Sequence, residues 1–173
     1  ACRMIANLPA PSAEAAAASA ALTDLIAREI KIEGWISFAH YMEFALYAPG
    51  LGYYAGGAHK FGDVQSGGDF LTAPELTPLF GQALARQVAQ VLAASKPHVI
   101  EAGAGSGRLA ADLLLALDAL NHAPERYEIL ELSGELRARQ AATIARHAPQ
   151  LLSRVHWLDA LPEQFSGCLI VNE

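Results

Sequence analysis

At 173 residues the chain suits one domain with a substantial core, and 53% apolar against 17% charged residues argues against disorder across the chain as a whole. The formal charge of −6, from 12 basic and 18 acidic residues with no basic run, argues against nucleic acid or an anionic membrane surface as the main partner. No apolar run reaches the roughly 18 residues that a membrane-spanning helix needs, so no membrane insertion is expected.

The two cysteines, Cys2 and Cys168, stand at opposite ends and match no metal or redox spacing; they read as incidental thiols of a reducing compartment. The six histidines are scattered without ligand spacing, so no metal site is expected. The alanine-rich start lacks the basic leader and strongly apolar block of a secretory signal, and a cytoplasmic location is the default expectation. Met4 reads as a natural start, with the three residues before it as a remnant.

In chain order, residues 5–13 read as a loose arm, and Ala15 to Ile30 as a helix with Leu22, Leu25, Ile26 and Ile30 in an apolar stripe. Gly34 breaks that helix. Ser37 caps the next, in which Phe38, Tyr41, Met42, Ala45 and Leu46 recur at helical spacing until Pro49 and Gly50 stop it. The glycine-rich stretch "APGLGYYAGGAHKFGDVQSGGDF" is a long loop, a kind of segment often functional in compact domains. Thr72 and Glu75 have capping-box spacing, with Pro74 tolerated in the first turn. A helix is then expected to run to about Ala94, burying Leu76, Leu79, Phe80, Ala83, Leu84, Val88, Val91 and Leu92.

The rhythm then changes to strand, helix, strand, helix. "HVIEAG" is a strand, "RLAADLLLALDAL" a helix, "YEILEL" a second strand, and "GELRARQAATIARHA" a helix capped by Ser133 with Glu135 in its first turn. "RVHWLD" is a third strand, joined by a short link or one turn of helix to a fourth, "CLIVNE". Strands alternating with helices predict a parallel, doubly wound, Rossmann-like α/β sheet. Residues 1–94 are assigned to a helical N-terminal region with its glycine-rich loop, and 95–173 to the first half of the Rossmann-like domain. Such sheets normally continue through two wound halves, so the chain reads as part of a longer protein.

The turn "EAGAGSGRL" decides the ligand class. A phosphate-binding NTPase loop needs Gly-Lys-Ser/Thr where Gly107-Arg108-Leu109 stands, and that reading fails. A dinucleotide fingerprint starting at Gly103 and Gly105 would want a third glycine at 108, where Arg stands. Glu101, two residues before Gly103, would also disfavour a pyrophosphate on the helix N-terminus. S-adenosylmethionine reverses that logic, because its sulfonium and ammonium suit an acid at the strand tip and the glycines let backbone approach closely. Glu131, ending the second strand, is placed to accept from ribose hydroxyls, a device that NAD enzymes share. Asp159, ending the third, is placed either to accept from an adenine amino group or to cap the residues after it.

The segments "FAHYMEFALYAPGLGYY", "GDFLTAPELTPLFGQALARQ", "EAGAGSGRLAADLL", "YEILELSGELRARQ", "WLDALPE" and "NE" resemble, in order, the MidA-like family of class I methyltransferases. That family includes a mitochondrial arginine methyltransferase involved in respiratory complex I assembly. The resemblance covers about residue 30 to the end. It implies a class I methyltransferase sheet, of which the first four strands are present, preceded by a helical region. It also implies S-adenosyl-L-methionine as cofactor, with Glu101, Gly103, Gly105 and Gly107 at the methionine end, Glu131 at the ribose and Asp159 near adenine. The implied acceptor is a protein arginine, in a partner such as a respiratory-complex subunit.

For that acceptor, Glu173 is a candidate to orient the guanidinium, against the plainer reading of a strand-end carboxylate. The loop "KFGDVQSGGDFLTAPE" reads as a lid across the cofactor, with Gly68, Asp69 and Thr72 nearby. Two rival functions stand beside methyl transfer: a non-catalytic assembly factor that keeps the pocket, and an NAD-linked oxidoreductase. The oligomeric state carries no signal in the sequence.

Overall fold

The computed structural model describes residues 10–55 and 72–172, which fall into two compact units divided between residues 57 and 58. The first unit holds helices α1 (Ala13–Glu33) and α2 (Phe38–Tyr47). Both begin as serine chemistry dictates: Ser12 Oγ accepts from the Ala15 amide at 3.1 Å, and Ser37 Oγ from the His40 amide at 3.1 Å. The chain folds back after α2, where the Tyr53 and Tyr54 amides donate to the carbonyls of Ala45 and Leu46. Gly52 sits so close to that helix end that a Cβ would lie 2.6 Å from the Tyr47 and Ala48 amide nitrogens. There the Tyr54 ring lies tilted against Tyr47 and edge-on to Tyr53.

The second unit contains a short helix α3 (Ala73–Leu76), helix α4 (Leu79–Ala94), strand β1 (His98–Ala102), helix α5 (Arg108–Ala119), strand β2 (Arg126–Leu130) and helix α6 (Gly134–His147). A 3₁₀ helix (Pro149–Arg154) leads into strand β3 (Val155–Leu158), and strand β4 (Cys168–Val171) follows. All four strands are parallel, in the order β3-β2-β1-β4. In register, Glu101 of β1 stands beside Ile129 of β2 and Ile170 of β4, and Leu130 of β2 beside Leu158 of β3. The expected α/β architecture is present, including the helical region before the sheet. Residues 159–167 form no helix, so the link from β3 to β4 is the plain one, running from one sheet edge to the other.

The expected single helix from residue 72 to 94 is two helices. A proline disfavours helical backbone in the residue before it, and Thr77, before Pro78, is extended at φ −164°, ψ 143°. That break resets the phase of the buried face. Gly81, Ala85, Val88, Ala89 and Leu92 are buried, whereas Leu76, Leu79, Ala83 and Val91 are exposed. The face is centred on small residues because α5 comes very close: a Cβ on Gly81 would lie 2.8 Å from the Asp112 Cβ. Packed against both α4 and α6, α5 buries Leu109, Ala110, Ala111, Leu113, Leu114 and Leu117. With Tyr127, Ile129, Val99 and Ile144 these residues make the core. Among the described residues, no helix is long and apolar enough to cross a membrane.

Candidate functional site

The chain winds from β1 through β2 to β3 in one direction and then returns to place β4 on the other side of β1. Ligands of open α/β sheets bind beyond the strand carboxyl ends at such a reversal. The glycine turn leaves β1 at that point. Gly103, Gly105 and Gly107 all have left-handed backbone, at φ 69°, 56° and 84°, which only glycine adopts without cost. Gly103 is exposed, and a Cβ there would meet nothing within 4 Å. Gly107 is buried against α6, where a Cβ would lie 2.8 Å from the Gln140 Cα.

Several polar groups of this turn are already engaged. The Gly107 amide donates to the Ala104 carbonyl at 2.8 Å, and the Arg108 amide to Ser106 Oγ at 3.2 Å. The Ser106 hydroxyl donates to the Glu75 carboxylate. Thr72 and Glu75 therefore do not form the expected capping box. The Thr72 side chain makes no cap bond, and Glu75 instead ties α3 to the glycine turn. Sequence spacing pointed to a local partner for Glu75, and the hydroxyl 31 positions away captured it.

The acids at the three strand tips have different surroundings. Glu101 is 2% exposed and accepts a 2.7 Å hydrogen bond from the Tyr127 hydroxyl. Burial raises its carboxyl to about 7, against the lowering effect of that bond. Tyr127 is pushed well above its ordinary value by the same burial and by the Glu101 charge beside it.

Glu131, 6% exposed, accepts from the Ser133 amide on Oε1 at 2.9 Å and from Gln140 Nε2 on Oε2 at 3.1 Å. Each oxygen of a carboxylate can accept twice, so among the described residues each keeps one acceptor site. Asp159 is exposed and paired with Arg137 at 2.7 Å. Arg137 also donates to the carbonyls of Glu131 and Leu158, fastening the β2 tip to the β3 tip.

The structure thus brings Gly103, Gly105, Gly107, Glu131 and Asp159 to one end of the sheet, with Glu101 beneath the turn and Thr72 at the start of α3. Glu173, Gly68 and Asp69 lie outside the described residues, as does most of the loop read as a lid. Ser133 caps α6 as expected, accepting from the Leu136 amide. Sequence reasoning missed Gln140, Arg137 and Trp157, and gave Glu75 only a capping role. Helical periodicity put the first two on α6 but gave no sign that they face the strand tips. Among the described residues, no group of three or more His, Cys, Asp and Glu side chains is placed to hold a metal ion.

Residues 83–173 match the family described as "Putative S-adenosyl-L-methionine-dependent methyltransferase". The chain belongs to this family. The MidA-like resemblance drawn from the motifs is thereby borne out, and S-adenosyl-L-methionine is the family's cofactor. The chain is 32% identical over 139 residues to the mitochondrial protein arginine methyltransferase NDUFAF7 of Danio rerio, covering 76% of this chain and 32% of that protein. It is 31% identical over 127 residues to the homologue of Caenorhabditis elegans, covering 71% and 30%. A Burkholderia thailandensis crystal structure with S-adenosyl-homocysteine bound superposes with a TM-score of 0.82 at 55% identity, over 95% of this chain and 43% of that one. The chain therefore spans about a third of the length of these curated relatives, and the family's Rossmann-like fold is shared.

Proposed function

We propose that this chain binds S-adenosylmethionine at the glycine turn and supplies the donor side of a methyltransferase that acts on protein arginine. The observation that carries the donor reading is the charge and hydrogen-bond state of the turn. A diphosphate needs unspent helix N-terminal amides and no negative charge beside them. Here the Gly107 and Arg108 amides are engaged internally, and the Glu75 carboxylate stands on Ser106. A ligand with a sulfonium and an ammonium suits the Glu75 charge beside that turn better than a dinucleotide does.

The open side of Gly103 lets backbone approach the ligand, while the remaining acceptor sites of Glu131 suit two ribose hydroxyls. Bound there, the donor supplies an electrophilic methyl group on a positive sulfur. The protein's part is to position it and to keep its surroundings fixed, which is where enzymes gain most in transfer reactions of this type. The arginine acceptor follows the names of the curated relatives, which are called mitochondrial; a respiratory-complex subunit as its carrier follows only the MidA-like resemblance.

Calorimetric titration of the full chain with S-adenosylmethionine, S-adenosylhomocysteine and NAD tests the donor. Micromolar binding of the first two with none of NAD is expected, and tighter NAD binding overturns the reading. Incubation with labelled donor and cell extract, followed by amino-acid analysis, tests the acceptor. Label in methylarginine supports it. Donor binding without transfer to any protein favours the scaffold role instead.

A further inference from the structure

Gln140 sits on α6 with no exposed surface, yet it reaches three separate parts of the site. Its Nε2 donates to Glu131 Oε2 at 3.1 Å and to the Gly105 carbonyl at 3.2 Å, and its Oε1 accepts from the Trp157 indole Nε1 at 2.8 Å. The chemistry of the partners fixes which end of the amide is which. A carboxylate and a carbonyl only accept, and an indole nitrogen only donates. Turning the amide over would face its NH₂ with the indole N–H and its oxygen with two acceptors, losing all three bonds.

We propose that Gln140 is a positioning residue that couples the glycine turn to the β2 acid, holding Glu131 so that one free acceptor site on each oxygen meets a vicinal ribose diol. It rests on the donor-binding reading above. Three features support it. Gln140 fills one site on Oε2 while the Ser133 amide fills one on Oε1, so the two remaining sites are one per oxygen. The same amide pins the Gly105 carbonyl, so the turn and the acid keep one relative placement. The buried Gln140 backbone also lies against Gly107, which leaves α6 no room to shift towards the turn.

The test separates positioning from general support of the fold. The full chain, its Gln140→Met variant and its Trp157→Phe variant are titrated with S-adenosylhomocysteine and with the 2′,3′-dideoxyribose analogue. Two hydroxyls on a charged acceptor are expected to give the natural protein a preference on the order of 100-fold for the intact ribose. Gln140→Met should cut that preference below about tenfold by weakening the diol ligand more than the analogue. Trp157→Phe leaves Gln140 in place but frees its amide, and should lower the ratio in the same direction.

Equal weakening of both ligands, or an unchanged ratio in a variant with natural circular dichroism and melting temperature, overturns the proposal. If Gln140→Met does not fold, the Trp157→Phe ratio decides alone. Failure of the unmodified chain to bind S-adenosylhomocysteine would overturn the donor reading itself, a result distinct from binding with an unchanged ratio.

Discussion

Glu101 is a carboxyl that the fold keeps out of water, and its cost depends on pH. Its folded value of about 7 lies above its ordinary 4.5, so the native state holds the proton more tightly than the unfolded chain does. The stability tied to that proton is complete below the unfolded value and is lost as pH rises through about 7. Glu101→Gln mimics the protonated form. In denaturant unfolding it should match the natural protein in stability below about pH 4 and exceed it at pH 8, by about 3 kcal/mol. A difference that is flat with pH would mean that the carboxyl stays ionised in the fold.

Gly103 supplies a second expectation at this scale. Its surroundings are open, so Gly103→Ala costs only the left-handed backbone, about 1 kcal/mol. Donor affinity should nevertheless fall at least about tenfold, because the added methyl occupies the space through which backbone approaches the ligand. Unaltered affinity in a folded variant would place the ligand elsewhere.

At the level of helices and strands, close approaches set the spacing. Gly81 brings α4 onto α5, and Gly107 brings the start of α5 onto α6. Gly107→Ala would need both a strained backbone and a displaced helix, and overpacking of this sort costs about 1–3 kcal/mol before strain is added. Chemical denaturation should show the larger loss for Gly107→Ala than for Gly103→Ala, although both residues are left-handed.

These approaches also mark where sequence reading stopped. Periodicity found all four strands of the described residues, because short apolar runs bounded by breakers have few other uses in this pattern. It placed the buried face of α4 on its large residues, whereas Gly81, Ala85 and Ala89 are buried and Leu79 is exposed. Large residues signal burial only where the neighbour stands at ordinary distance, and a helix that docks closely inverts that rule. The capping box failed for a related reason. Spacing describes local partners, and Glu75 found Ser106 through the tertiary fold.

Across the molecule, the ligand class was legible from the glycine turn and the acids beside it, although burial raises the Glu101 carboxyl and Arg137 pairs Asp159. Glycine spacing and strand-tip acids were read one by one, and the parallel order β3-β2-β1-β4 gathers them at one end of the sheet. The side chains that tie those tips together were not legible. Gln140 and Arg137 look like ordinary polar helix residues until the 3₁₀ helix and β3 bring Trp157 and Leu158 alongside them.

The Gln140–Trp157 bond gives this protein an optical signal of its own. The chain has two tryptophans: Trp35 is 73% exposed, and Trp157 is half-buried with its ring nitrogen bound to the amide that also holds Glu131. Their emission should therefore differ in colour, Trp35 redder and Trp157 bluer. Saturating S-adenosylhomocysteine should change the blue component, and Trp35→Phe should isolate it. A label-free fluorimeter would then report occupancy in real time, from the indole that holds the Gln140 amide.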